Sequence, residues 1–589
     1  MKWYAAAVIL LLMVHSSLAI SSLLRKGITF DEVEHISAGY AYLKFGDWRF
    51  NAEHPPLTKL FAAIPLVLGD AKPPEWEWGS PSESDGWKMG QRFLFDASND
   101  TQALLNQART MMVVWSVVLG LVVYGWSAHL FGRPAGVLSL ALYSFSPSIL
   151  AHARLVTMDL PLALGLSIST LSIWYGLGRI SAKTILARGA SLSVLFLTKI
   201  SAVVIVPVAV ILLLVRLTSS RPMWVMWPLS REVRHRLARL GLGAASLLVD
   251  ALIVWMALWA CYGFRYAANP AGSTDLDDVA ARYQVGRQEA REGSVLRGMA
   301  GQVIDWMRAT HFVPEAYIHC IDEQSTILGG RDAFLHGEQS VTGWWYFFPY
   351  CFAVKTATPV LVLCAVGLLL FVIQVMRRSA WKQSHEHGSP TPGRHWIDLA
   401  PLWTLLAVYA FFAITCKVNL GLRYILPVYP PLFVLVGSLA GATPRFVRAA
   451  SWACAGWLVA SSLWIWPDYL AYFNSFVGGP GKGYRHLVDS SLDWGQDLPG
   501  LRRWLDVELG PGWAADSLGS QTPVYLSYFG ADNPGYRGIA CQMLPSRTMA
   551  RQEPVREYEL KGGLYCISAT RLQQVYLLPE SRWTPRYER

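Results

Sequence analysis

The sequence predicts a polytopic α-helical membrane protein with about eleven transmembrane helices and a small C-terminal α/β domain outside the membrane. Three observations carry this reading. The 589 residues are 53% hydrophobic and only 16% charged, well below the roughly 25% charge of a soluble domain. Apolar runs long enough to cross a bilayer recur along most of the chain. The lysines and arginines behind the net charge of +10 gather in short stretches between those runs, as the orientation of membrane helices requires. No basic helix, zinc-ligand spacing or aromatic RNA-binding motif accompanies the charge, so no nucleic-acid partner is expected.

Taken in order, the first run extends from Trp3 to about Leu24. Lys2 before it and Ser-Ser-Leu-Ala within it resemble a secretory signal. We read it as an uncleaved span, because more spans follow; either way the chain after Leu24 emerges on the outer side. Further candidates are Thr110–Leu130, Pro134–Leu150, Leu160–Leu177, Leu240–Tyr262, Phe352–Met376, Ile397–Thr415, Tyr424–Leu439 and Ala449–Ile465. The run from Gly189 to Val215 has basic residues on both flanks: Lys183 and Arg188 before it, Arg216, Arg221, Arg231, Arg234, Arg236 and Arg239 after it. Both flanks then lie inside, and the run must go out and return as two short helices turning near Thr198 and Lys199.

This topology leaves three hydrophilic segments outside. Two are the loops 25–108 and 263–342 of a membrane unit spanning 1–477, and the third is a C-terminal unit at 478–589. Within the first loop, Pro56 to Leu68 is amphipathic and suits the lipid surface. The C-terminal unit has strand-like runs Thr522–Phe529 and Gly563–Ser568, and a helix-like run placing Leu501, Trp504 and Leu505 on one face. Cys541 and Cys566 lie there too, either as a disulfide in an oxidising compartment or as two free thiols. The eight cysteines form no CxxC pair, so neither a zinc ribbon nor a thioredoxin site is indicated.

The chemistry-bearing residues cluster outside. Thr29-Phe30-Asp31-Glu32-Val33-Glu34-His35 follows the first span directly. Carboxylates this close to lipid lose solvation, and an adjacent acidic pair suits general-base work. The simpler role for Asp31 is to cap a helix running through Tyr42. Asn51-Ala52-Glu53-His54-Pro55-Pro56-Leu57-Thr58-Lys59 then sets a histidine before two prolines, which disfavours helix and fixes an extended turn. Lys417 and Arg423 fall outside against the topology rule, and a cation kept there points to a site.

Asp31-Glu32 followed by His54-Pro55-Pro56-Leu57 is similar to the first outer loop of the protein O-mannosyltransferase superfamily. That group includes bacterial glycosyltransferase family 39 and the aminoarabinose transferases of lipid A. Ala153-Arg154-Leu155-Val156-Thr157-Met158-Asp159 resembles its second outer loop, and Leu197-Thr198-Lys199 its short helical turn. Gly337-Glu338, Gly343 to Phe347, Lys355-Thr356 and Leu422-Arg423-Tyr424-Ile425-Leu426-Pro427 resemble further pieces, and Asp489 to Asp497 resembles a junction in members with an outer C-terminal domain.

The resemblance implies a C-type glycosyltransferase fold in the cytoplasmic (inner) membrane, with its active site facing the periplasm or exterior. Its partners would be a polyprenyl-phosphate-linked sugar, membrane lipids, and an acceptor that is a protein, glycolipid or wall polymer. Asp31 is then the catalytic base of an inverting transfer. Glu32 assists the acceptor, or joins His54 around a divalent metal if one is used. Arg154, Lys199, Lys355 and Arg423 are candidates to neutralise the leaving phosphate, with interfacial snorkelling as the simpler role of each. Asp159 faces the first acidic pair unless it only caps its own helix. Glu338, beside His336 and just before the aromatic cluster Trp344 to Phe348, completes the candidate substrate-binding set. The rival classes are a membrane transporter, for which we see neither mid-span charges nor a twofold repeat, and a non-catalytic envelope-assembly protein.

Overall fold

The computed structural model describes residues 2–51, 53–78, 80, 85–219, 221–226, 230–272, 295–327, 329–384, 396–510, 513, 522–544 and 560–576. Every apolar run anticipated as a span is helical, and the protein is a polytopic helical membrane protein. Among the described residues, seven helices are singly long and apolar enough to cross a bilayer, and nine are if two bent pairs count as one span each. The remaining two runs form helices Ala182–Phe196 and Arg445–Ile465, which stand outside that set.

Arg133–Ser144 and Pro147–Ala153 meet at 66°, with Pro147 opening the second helix, where its missing N–H is no loss. Phe347–Lys355 turns by 114° into the helix beginning at Thr358. The doubly basic run also breaks where the charges required. Helix Ala182–Phe196 ends before Leu197-Thr198-Lys199, and a 3-10 turn at Ile200–Val204 leads into helix Ile205–Thr218.

A small sheet gathers the basic flanks at one end of the bundle. Arg179–Ile180 pairs parallel with Met223–Met226, which pairs antiparallel with Ser230–Val233. At the opposite end Lys199 meets Asp159, Nζ to Oδ1 at 2.6 Å. The helices between therefore alternate in direction. Partway along two of them, Arg188 Nε donates to Asp250 Oδ2 at 2.6 Å. This is a mid-span ion pair that the sequence reading passed over; it ties helix Ala182–Phe196 to helix Arg236–Cys261. The first helix, Lys2–Leu23, packs through His15, whose ring bonds Ser116 Oγ at 2.7 Å and the Ser144 carbonyl at 3.0 Å.

At the Lys199 end lie the hydrophilic segments. The first carries helices Glu32–Phe45 and Leu57–Leu68, the latter where an amphipathic helix was expected. The C-terminal segment is α/β: Val524–Ser527 is the middle strand of a parallel sheet, flanked by Gln542–Met543 and Leu564–Ile567. Helix Leu498–Glu508 buries Leu498 and Leu505. Trp504, expected on that buried face, is 47% exposed, because the apolar stripe runs through Leu498, Leu501 and Leu505 instead. Cys541 and Cys566 are both free thiols.

Candidate functional site

Two helices and one lysine shape the first wall of the site. Helix Glu32–Phe45 crosses Leu57–Leu68 at Gly39, where a Cβ would lie 2.2 Å from the Lys59 carbonyl oxygen. Only hydrogen fits there. Lys59, wholly buried, donates to Tyr42 Oη at 3.0 Å, the Asn51 carbonyl at 2.6 Å, Asn51 Oδ1 at 3.1 Å and the His54 carbonyl at 2.8 Å. Those bonds hold the loop bearing Glu53 and His54, with Asn51 at φ 44°. His54 and Pro55 are non-helical, and Pro56, at φ −86°, ψ −19°, is the N-cap of the second helix. The Leu57 N–H reaches the Leu197 carbonyl at 3.1 Å, which docks the Lys199 turn against this loop.

The result is a pocket of about 590 Å³. Asp31, Glu34, His35, Glu53, His54, Lys199, Arg331, Arg423, Tyr424, Asp489, Trp494, Arg571 and Tyr576 are among its lining residues. At its centre Arg423 Nη1 donates to Asp31 Oδ2 at 2.7 Å, across 392 positions of sequence. Asp31 sits at the N-cap position of its helix but makes no side-chain capping bond; the carboxylate is turned to Arg423 instead. Burial acts to raise its pKa, yet the charge of Arg423 and the hydrogen bond it donates outweigh burial and hold it below the usual carboxylate range.

The other pocket acids behave oppositely. Burial, then the charge of Glu53, pushes Glu34 well above its ordinary value. Burial also raises Glu53, against the pull of Arg331, and raises Asp489. Burial holds His35 neutral, its pKa lowered to about 4, with its Nδ1 2.6 Å from the Val156 carbonyl. Burial and the charge of Lys199 likewise keep His54 neutral.

Of the residues anticipated from sequence, the structure brings Asp31, His54, Lys199 and Arg423 into one pocket. Asp159 adjoins it through its ion pair with Lys199, whose ammonium lies 4.9 Å from the Tyr424 ring centroid. Four others lie elsewhere. Glu32 is fully buried against Arg109, and also accepts from Thr29 N at 2.9 Å, Thr29 Oγ1 at 2.8 Å and Val156 N at 3.0 Å. It therefore positions backbone rather than an acceptor, and it does not join His54 as a ligand pair. Among the described residues no group of three or more His, Cys, Asp or Glu is placed to hold a metal ion. Arg154 is buried and does not line the pocket, with Nε and Nη1 lacking protein partners. Lys355 donates to the Leu470 and Ser491 carbonyls at 2.8 and 2.6 Å, which spends its charge on holding the C-terminal segment. Glu338 is exposed on a hairpin with Ala333–Leu335.

Sequence reasoning quoted Glu34, Glu53 and Asp489 within motifs but gave none of them a role, and it missed Arg331, Arg571 and Tyr576. The pocket draws Asp489, Trp494, Phe529, Arg571 and Tyr576 from the C-terminal segment, and no local pattern announces that long-range closure.

Residues 101–230 match the family model described as dolichyl-phosphate-mannose-protein mannosyltransferase. The match agrees with the resemblance carried by Ala153–Asp159 and Leu197–Lys199, both of which it contains. No curated protein sequence matches the chain. Among solved structures, the chain is similar to ArnT from Cupriavidus metallidurans bound to undecaprenyl phosphate, at 15% identity and TM-score 0.42 over 91% of this chain and 85% of that one. It is also similar to the archaeal oligosaccharyltransferase AglB from Archaeoglobus fulgidus in complex with an inhibitory peptide and a dolichol-phosphate, at 12% identity and TM-score 0.44 over 92% of this chain and 64% of that one.

Proposed function

Starting from a membrane chain whose residues 101–230 match the family model described as dolichyl-phosphate-mannose-protein mannosyltransferase, we propose that the whole protein is an integral membrane glycosyltransferase. It transfers a sugar from a polyprenyl-phosphate carrier to an acceptor hydroxyl in the pocket around Asp31. The observation that carries the reading is the Asp31–Arg423 pair at 2.7 Å, lining a pocket at the end of the bundle opposite its basic flanks.

The chemistry follows from the charges. Asp31 is ionised at neutral pH and accepts the proton of the acceptor hydroxyl. That oxygen attacks the anomeric carbon from the face opposite the phosphate, the carbon–oxygen bond to phosphate breaks, and the configuration inverts. Arg423 and Lys199 take the charge developing on the phosphate oxygens. As the phosphate shares the Arg423 guanidinium, Asp31 loses part of its counter-charge, so its basicity rises during the reaction. Glu34, Glu53 and Asp489 offer hydroxyl groups or carboxylates to the sugar and acceptor.

By the distribution of Lys and Arg the pocket end faces outward, on the periplasmic side of an inner membrane. The 1–477 stretch then forms the membrane unit, and the segment after it covers the pocket from outside. The test is incubation of the purified protein with a panel of labelled polyprenyl-phosphate sugars. Donor is expected to be consumed by the unaltered chain and left intact by Asp31→Asn with insertion and folding unchanged; normal turnover in that variant would remove the base assignment.

A further inference from the structure

Residues 489–496 touch both halves of the central ion pair. On the Asp31 side, the Phe30 N–H donates to the Trp494 carbonyl at 2.9 Å and the Gly27 N–H to the Gln496 carbonyl at 2.9 Å. On the Arg423 side, Ser490 Oγ donates to the Leu420 carbonyl at 2.7 Å and the Leu422 N–H to Ser491 Oγ at 3.1 Å. Between these anchors the Trp494 ring lies over the guanidinium of Arg423, with the carbon Cζ 4.3 Å from a ring centroid. Trp494 is 1% exposed, and its backbone N–H donates to Gln496 Oε1 at 2.8 Å.

A guanidinium covered on one face by an indole keeps its edge for in-plane hydrogen bonds. Arg423 spends that edge on Asp31 through Nη1, while its Nε has no protein partner. The indole restricts rotation of the long side chain and adds cation–π attraction, which grows as water is excluded. It leaves the donor edge directed into the pocket.

From this we infer that Trp494 is a positioning residue: it stacks on Arg423 and holds the guanidinium edge toward Asp31 and toward the phosphate that Arg423 is proposed to receive. The inference rests on the glycosyltransferase reading for its purpose, but its geometry is testable without any substrate. It also gives residues 489–496 a specific task, which is to set the separation of two side chains 392 positions apart in sequence.

The readout is the ionisation of Asp31. Purified full-length protein is treated with a water-soluble carbodiimide across a pH series, and modification of the Asp31 peptide is followed by mass spectrometry. Arg423→Gln sets the full effect of losing the cation. Trp494→Leu is expected to raise the Asp31 midpoint by about one pH unit, with Trp494→Phe staying within about 0.3 of the unaltered chain because a ring face remains. Trp494→Met stands in if the leucine variant fails to fold, as judged by circular dichroism. An unchanged midpoint in the non-aromatic variants overturns the inference. So does an equal rise in the phenylalanine variant, which would mean packing volume rather than ring stacking. No change in Arg423→Gln removes the ion pair itself, and the inference with it. Donor consumption is a separate assay, so the transfer reading and this one can fail independently.

Discussion

Asp31 and Glu32 are neighbours in sequence with opposite fates. Successive residues on a helix point about 100° apart, so one carboxylate faces the pocket and Arg423 while the other faces the protein and Arg109. Arg423→Gln should expose what the pairing does. With Arg423 present, Asp31 stabilises the fold above its unfolded pKa of roughly 3.9, and that contribution is lost only as pH falls through the depressed folded value. Without Arg423, burial acts with much less opposition and the folded value moves up. The melting temperature of the variant should therefore hold up better than that of the parent as pH falls below about 5, and improve less as pH rises from there to about 7. A parallel pair of curves would show that the cation does not control Asp31. Glu34 has the reverse sign. Its folded pKa is raised by burial and by Glu53, so its contribution is complete below the unfolded value of roughly 4.3 and fades as pH climbs through the raised one. Glu34→Gln should flatten the loss of melting temperature on the alkaline side, and an unaltered slope would count against the Glu34–Glu53 coupling. The sequence made Asp31 and Arg423 legible because each was a charge out of place, an acid at a span boundary and an arginine on the wrong side. It did not separate Glu32 from Asp31, because Glu32 is committed by Arg109, which arrives from a different helix.

At the scale of elements, a close crossing and a buried pair hold the pocket wall. Gly39→Ala places a methyl 2.2 Å from the Lys59 carbonyl oxygen, and because that neighbour is backbone the two helices must separate. We expect a loss of about 1–3 kcal/mol. The loop of Glu53 and His54 should shift with Lys59, so transfer activity falls alongside the melting temperature. Stability intact with activity intact would mean that the crossing does not set the loop. Glu32→Ala should be harsher, at about 3–5 kcal/mol, since Arg109 is left charged without its buried partner; expression and thermal melting of the variant test this, against Asp31→Asn, whose ion pair is partly open to water and which should lose clearly less. The break at Leu197–Lys199 could be read from the charges on its two flanks. The buried face of Leu498–Glu508 could not be read correctly, since Trp504 and Leu505 are adjacent on the helix and only Leu505 meets the sheet.

For the molecule as a whole, the pocket is a junction of distant segments. Its walls come from the first hydrophilic segment, the Lys199 turn, the residues flanking the 333–340 hairpin, the stretch around Arg423 and the C-terminal segment. Composition and charge announced the membrane architecture because solvent chemistry acts on every residue in a span. The closing of the pocket by Tyr576 and Arg571 was not announced, since it depends on tertiary docking alone. Sidedness links these levels and is open to direct test. The sheet joining Arg179–Ile180 to Met223–Met226 fixes the basic flanks at one end, while the hairpin of Ala333–Leu335 with Glu338–Ser340 stands at the pocket end beside Arg331 and Asp332. An epitope inserted at the exposed turn between Leu335 and Glu338 should bind antibody on intact spheroplasts. The same epitope after Val233 should bind only once the membrane is permeabilised. If the pattern is reversed, the pocket opens to the cytoplasm, and the excess of arginine at the sheet end would have to be explained by something other than retention on the inner side. Arg423 would then obey the topology rule, and the argument that its charge is held in place for a ligand would lose its first support.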